Sequence, residues 1–216
     1  NELNNDINMK KLMPLICFIC FIVSFNALFA QETADALGVE PLNYKKRSPV
    51  YDYSEHQLNN TDTIPDFDIK PNKLMITGTI YQNDGVTPAS DVVLFIYQPD
   101  DYGNFEMKRD SSRKRYVHHR AWIKTDSDGK YTFYTFMPGK YLRSKELKQI
   151  HRVIKEPGKP EYDINPFFFN DDPLIPDLTL ACRSRMVNSM LRLEQKDGMY
   201  MATKDIRLPD TNDLIK

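Results

Sequence analysis

Cysteine is scarce in this chain, with three among 216 residues. Cys17 and Cys20 sit in a short apolar run near the N-terminus, which leaves Cys182 alone in the rest. A single cysteine makes no internal disulfide, and no C-x-x-C pair stands outside that run to hold a structural zinc. Cys182 therefore reads as a small buried hydrophobe. Glycine is also rare: eight residues against 14 proline, 12 phenylalanine and 12 tyrosine. That balance favours strands and turns over a helical bundle. No charge excess exists either, since 29 Lys and Arg face 30 Asp and Glu for a net charge of −1. Nucleic-acid binders normally carry a basic excess or a basic face, so that class is set aside. No phosphate-cradling loop, dinucleotide glycine pattern, G-x-S-x-G elbow or H-E-x-x-H appears. A mean hydropathy of −0.55 excludes a multi-span membrane protein. Hydrophobic residues at 41% exclude wholesale disorder.

What is present begins with an address. From Met9 the chain reads MKKLMPLICFICFIVSFNALFAQ. Lys10 and Lys11 form a positive start, residues 15–23 are an unbroken apolar run, and Ala27 and Ala30 are small residues near its end. The pattern is that of a signal peptide cleaved after Ala30, and the run is too short to span a bilayer comfortably. Residues 1–30 are thus read as upstream residues plus a signal peptide. The product is expected to be exported, periplasmic or extracellular, with membrane contact only through that peptide.

Residues 31–72 show little periodicity and are rich in Asn, Asp, Pro and Tyr. They read as an extended arm or linker lying along a domain, and as a surface for a protein partner. From residue 73 the pattern changes. Residues 74–81 are β-rich, Asn83-Asp84-Gly85 marks a turn, and residues 91–98 (DVVLFIYQ) read as a second strand. Residues 119–125 read as extended. Asp126-Ser127-Asp128-Gly129 is a turn before KYTFYTF at 130–136, which alternates strictly. Residues 149–155, part of 162–169 and residues 198–208 supply further strands, and only 177–190 could hold a helix. Many short strands with regular turns predict an all-β fold, a β-sandwich spanning 73–210 with an extended N-terminal arm. The basic stretch from Lys108 to Arg115 reads as a solvated loop, with an anion clamp over a cleft as the alternative. Asp171-Asp172 read as turn formers before Pro173, and Pro166-Phe167-Phe168-Phe169 as core.

Three stretches together resemble the intradiol ring-cleavage dioxygenase family, which includes the protocatechuate and catechol dioxygenases. They are GTIYQNDGVTPASDVVLFIYQ at 78–98, WIKTDSDGKYTFYTFMPGKY at 122–141 and IHRVIKEPGKPEYDINPFFFNDDPLI at 150–175. The resemblance covers roughly residues 74–208 and is most like the shorter secreted bacterial relatives. It implies a β-sandwich, and a non-haem Fe(III) held by two tyrosines and two histidines. It also implies a catechol-type diol as small-molecule substrate, cleaved by insertion of O₂. Hard phenolate oxygens stabilise ferric iron, and imidazoles complete a site with an open position.

The same resemblance assigns the ligand positions. The P-x-x-Y frame puts Tyr141 on a tyrosinate position. The His-x-His pair reads Gln149-Ile150-His151 here, so His151 matches and Gln149 is substituted. The Gly-x-Tyr turn reads Gly103-Asn104-Phe105, so Phe105 replaces a phenolate. A phenyl ring offers no oxygen, and an amide is a weak neutral ligand. The expectation is weak or absent ring cleavage. The alternative function is a non-catalytic sandwich that binds a ligand or a partner protein. Tyr102 on the same loop could substitute for Phe105, and His118-His119 with Glu146 and His151 could make a two-His-one-carboxylate site. Without a metal, His118-His119 are a polar stretch entering the Trp122 strand. His151 is then a hydrogen-bonded histidine in a cleft, and Tyr141 a buried aromatic.

Overall fold

The computed structural model describes residues 43–53, 58–140 and 146–210. The signal peptide expected at 1–30 and the ligand position Tyr141 lie outside the described residues. All elements below belong to the larger of two compact units, Leu42–Pro157 with Glu161–Lys216. In chain order they are β1 (Thr61–Thr63), β2 (Lys73–Tyr81), β3 (Val93–Tyr97), β4 (Met107–Arg109), β5 (Arg115–Val117) and β6 (Arg120–Lys124). There follow β7 (Lys130–Phe136), β8 (Gln149–Lys155), β9 (Tyr162–Phe169), the helix α1 (Leu180–Met186) and β10 (Met190–Leu191). The chain ends on β11 (Glu194–Lys196), β12 (Met199–Thr203) and β13 (Ile206–Arg207).

Among the described residues two large sheets and a two-stranded β4-β5 sheet form the all-β fold. One runs β1-β7-β2-β12-β11, with β13 also on β2; the other runs β10-β9-β8-β3-β6. Alternation explains the layering. In β7, Tyr131 and Phe133 are fully buried while Thr132 and Tyr134, on either side of Phe133, are half-buried. In β8, Ile150 and Ile154 point into the core with Leu94 and Ile96 of β3 and Phe167 and Phe169 of β9. Leu74 and Ile76 of β2 meet them from the first sheet. Each such side chain contributes about 1.5–3 kcal/mol on burial. Asp126 opens the turn before β7 by accepting from the amides of Asp128 and Lys130, both at 3.0 Å. Gly129 closes it at φ +67°, where a Cβ would also lie 2.5 Å from the Ile80 carbonyl oxygen.

A second apolar cluster covers the outer face of the β8-β3-β6 sheet. Val93, Phe95 and Val153 present that face, and Val50 and Tyr51 are buried against it. The Tyr51 hydroxyl donates to Glu161 at 2.7 Å. The described part of the 31–72 stretch therefore lies along the domain and enters its packing: β1 pairs with β7 in parallel, and Ile64 is buried.

Three local readings are corrected. Cys182 is exposed on α1, because none of that short helix is buried. The basic stretch is a hairpin: β4 and β5 pair antiparallel, with Lys108 opposite Tyr116 and Arg109 opposite Arg115. Arg113 takes φ +62° in its turn. The last strand is split in two, because β12 and β13 meet β2 at different levels with Lys204-Asp205 between them. Asp171-Asp172 do form a turn, where buried Asp172 accepts from the amides of Lys148 at 2.7 Å and Leu174 at 3.0 Å.

Candidate functional site

Pairing of β3 with β8 places Tyr97 directly opposite His151. Their rings stack with centroids 4.7 Å apart and planes 9° apart. Phe105 comes up from the loop after β3, its ring 5.8 Å from His151 and 6.3 Å from Tyr97. Gln149 and His151 are two apart on β8, which puts both on the outer face of the sheet, and both are half-buried. Phe105 and His151 are thus in ring contact, Gln149 lies two residues before His151 on β8, and Tyr141 lies outside the described residues. Two loops meet at this end of the sandwich. The Gly139 amide donates to the Asp100 carbonyl at 2.8 Å. A Cβ on Gly139 would lie 2.4 Å from the Asp101 carbonyl oxygen. Glycine is thus required where the P-x-x-Y turn approaches the loop carrying Phe105. Tyr102 is well exposed on that loop.

Electrostatics favour neutral rings. Burial pushes the His151 imidazole below its usual pKa, against the pull of Asp163 and Glu146. Burial, with Asp163 adding to it, pushes the Tyr97 phenol up. Stacking on Tyr97 sets the plane of the His151 ring. Its neighbour Arg152 points the other way, into the interior. It lies 3.9 Å from the Phe167 ring centroid and donates to the Asn165 carbonyl and to Ser189 Oγ, the latter at 2.9 Å. Burial lowers the Arg152 pKa to about 10.

The described side chains at this position are the His151 imidazole, the Gln149 amide, the Tyr97 phenol and the Phe105 ring. Beside it lies a cavity of about 470 Å³, floored by Phe95, Tyr97 and Val153 and rimmed by Arg120, Glu161 and Asp163. A stacked aromatic floor with a charged rim suits a flat, partly polar ring.

Among the described residues His118 and His119 are not grouped with Glu146 and His151, which corrects the alternative metal set. They turn instead toward Asp66 and Glu106. His118 Nε2 is 3.0 Å and His119 Nε2 3.3 Å from the same oxygen, Asp66 Oδ2. Burial lowers the His119 pKa, against Asp66. Burial raises that of Asp66, but the His118 charge and hydrogen bonds from both histidines outweigh this and leave it lowered. Asp66 and Glu106 went unnoticed in the sequence. The only available signal was that two of four histidines are adjacent.

No protein-family model and no curated protein matches the chain. Solved structures do. One is the dioxygenase domain of a dioxygenase–carbohydrate-binding fusion protein from Streptomyces sp. SirexAA-E, at 18% identity and a TM-score of 0.57, covering 79% of this chain and 97% of that one. An intradiol ring-cleavage dioxygenase from Tetranychus urticae matches at 16% identity and TM-score 0.52, covering 73% and 89%. The 3-chlorocatechol 1,2-dioxygenase of Rhodococcus opacus 1CP matches at 17% and 0.53, covering 69% of this chain and 66% of that enzyme. The fold is that of the intradiol ring-cleavage dioxygenases.

Proposed function

We propose that this chain is an exported intradiol-dioxygenase-like protein. Its cleft takes a catechol-type aromatic ligand, and its ferric ring-cleavage chemistry is weak or lost. The observation that carries this reading is the contact of Phe105 with His151. The resemblance assigned the two residues to one site from separate motifs, and their contact supports that register. With the register held, a phenyl ring occupies a phenolate position and Gln149 an imidazole position. The loss of one anionic oxygen weakens Fe(III) binding, and with it activation of a bound diol. The aromatic floor of the adjacent cavity supports retention of a ring ligand.

The sole tryptophan offers a direct assay, because Trp122 stacks on Phe95, a floor residue of the cavity, at 5.0 Å. Catechol titrated into the purified full chain should quench Trp122 fluorescence saturably. The same protein, supplied with ferric iron, should show no tyrosinate colour and no O₂ uptake with catechol. Stoichiometric iron, a visible band and O₂ consumption would overturn the reading. Export is checked by the mass of the mature protein, which should begin at Gln31.

A further inference from the structure

Three segments distant in sequence bring four ligand-bearing side chains to one point outside the Tyr97–His151–Phe105 cluster. Asp66 lies in the turn after β1, whose backbone is anchored by Phe67 N–H donating to the carbonyl of buried Ile64. Glu106 immediately precedes β4, and His118 and His119 join β5 to β6. The His118 amide donates to the Glu106 carbonyl at 2.8 Å, and the His119 carbonyl accepts from the Gln98 amide at 3.0 Å. These bonds set the backbone from which the ligands project. The His119 ring is completely buried and is braced edge-on by Phe136, 5.0 Å away at 88°. Its Nδ1 makes no hydrogen bond, while Nε2 faces the two carboxylates.

The spacing is that of a coordination shell. Asp66 Oδ2 stands 3.0 Å from His118 Nε2 and 3.3 Å from His119 Nε2, and Glu106 Oε2 stands 3.8 Å from His119 Nε2. All four ligand atoms lie within 4.8 Å of one another. A tetrahedral cation with bonds of about 2.0–2.1 Å separates its ligands by about 3.3–3.4 Å. Two carboxylates balance a divalent charge. Two imidazole nitrogens favour a first-row transition metal over Ca²⁺ or Mg²⁺, which take oxygen.

We propose that Asp66, Glu106, His118 and His119 bind one divalent transition-metal cation of the Zn²⁺ kind. Four protein ligands make a closed site, so its role is structural. The cation clips the turn after β1 to the start of the β4–β5 hairpin and to the entry of β6. The two exposed carboxylates leave it a route in from solvent. This proposal is independent of the catechol reading, which fails on ferric colour and O₂ uptake.

The test is titration of the chelator-treated full chain with Co²⁺, read by its visible absorption, followed by displacement with Zn²⁺. One Co²⁺ per chain is expected, released by one Zn²⁺. His118→Ala and Glu106→Gln should each weaken binding at least about tenfold, the scale on which even indirect supports of a metal act. His151→Ala should leave Co²⁺ affinity unchanged. Zn²⁺ should also raise the melting temperature of the unaltered chain by several degrees, a readout that needs no variant to fold. The proposal is overturned by absence of saturable Co²⁺ binding to the folded chain, by full affinity in both ligand variants, by loss of binding in His151→Ala, or by an unmoved melting temperature.

Discussion

Tyr97 and His151 lie face to face, 4.7 Å between ring centroids, because they are cross-strand partners on β3 and β8. Burial disfavours the charged form of each ring. The pair is therefore a neutral stack that fixes the imidazole plane, and Phe105 packs at its open side.

Restoring the two substituted positions gives the sharpest check on this site. Phe105 is substantially exposed and Gln149 half-buried, so Phe105→Tyr and Gln149→His add polar groups without burying them unpaired. The double variant should bind more ferric iron than the unaltered chain and develop a visible tyrosinate band. Equal iron content in the two proteins would mean that the register between the loop after β3 and strand β8 differs from the family's.

The outer-face packing makes a stability prediction. Tyr51 is 5% exposed and its hydroxyl reaches Glu161. Tyr51→Ala should cost about 3 kcal/mol, in the range of large aromatic truncations. Deleting residues 31–72 should cost more, since it also removes Val50, Ile64 and strand β1. Urea denaturation followed by circular dichroism measures both, and a deletion mutant as stable as the full chain would refute the buried role of this segment.

Gly139 is a second structural test. An added Cβ meets the Asp101 carbonyl oxygen at 2.4 Å and the Gly103 nitrogen at 2.5 Å, both backbone atoms that cannot swing aside. Gly139→Ala should destabilise by about 1–3 kcal/mol. It should also shift the loop carrying Phe105, so Trp122 quenching by catechol should weaken. Unchanged stability with unchanged quenching would contradict the close approach of the two loops.

Asp101 is one of several carboxyls held low, with Asp66, Asp84, Asp110 and Asp126, and its contribution to the pH dependence can be isolated. Lys70 Nζ and Asp101 Oδ1 are 2.6 Å apart. The hydrogen bond from Lys70 holds the Asp101 carboxyl below its ordinary 3.8, outweighing burial. A depressed carboxyl adds stability that is complete above its unfolded pKa and disappears as pH falls through its folded value. The unaltered chain should therefore lose more stability between about pH 5 and pH 2 than Asp101→Asn does. Parallel acid limbs in urea midpoints would show the pair to be neutral.

Much of the sandwich was legible because its strands alternate. KYTFYTF could face a core in only one way, and β7 runs over the residues expected. Strands β1, β4 and β11 were not legible. TDT, MKR and EQK carry no apolar stripe, and these strands exist through backbone pairing with neighbours. Phe105 and His151, drawn from separate motifs, do meet. The Asp66–Glu106–His118–His119 group was not legible, since Asp66 reaches His118 across 52 residues and no local pattern encodes that approach.

Strand β2 has a further consequence for how the chain reaches this structure. It is flanked by β7 on one side and by β12 on the other, with β13 meeting it near its end. Its partners on one edge thus come from the last stretch of the described chain. A sheet closed by such sequence-distant pairings forms slowly, because each pairing must first overcome the entropy of a long loop. Pairing along that edge of β2 is complete only when residues 199–207 are in place.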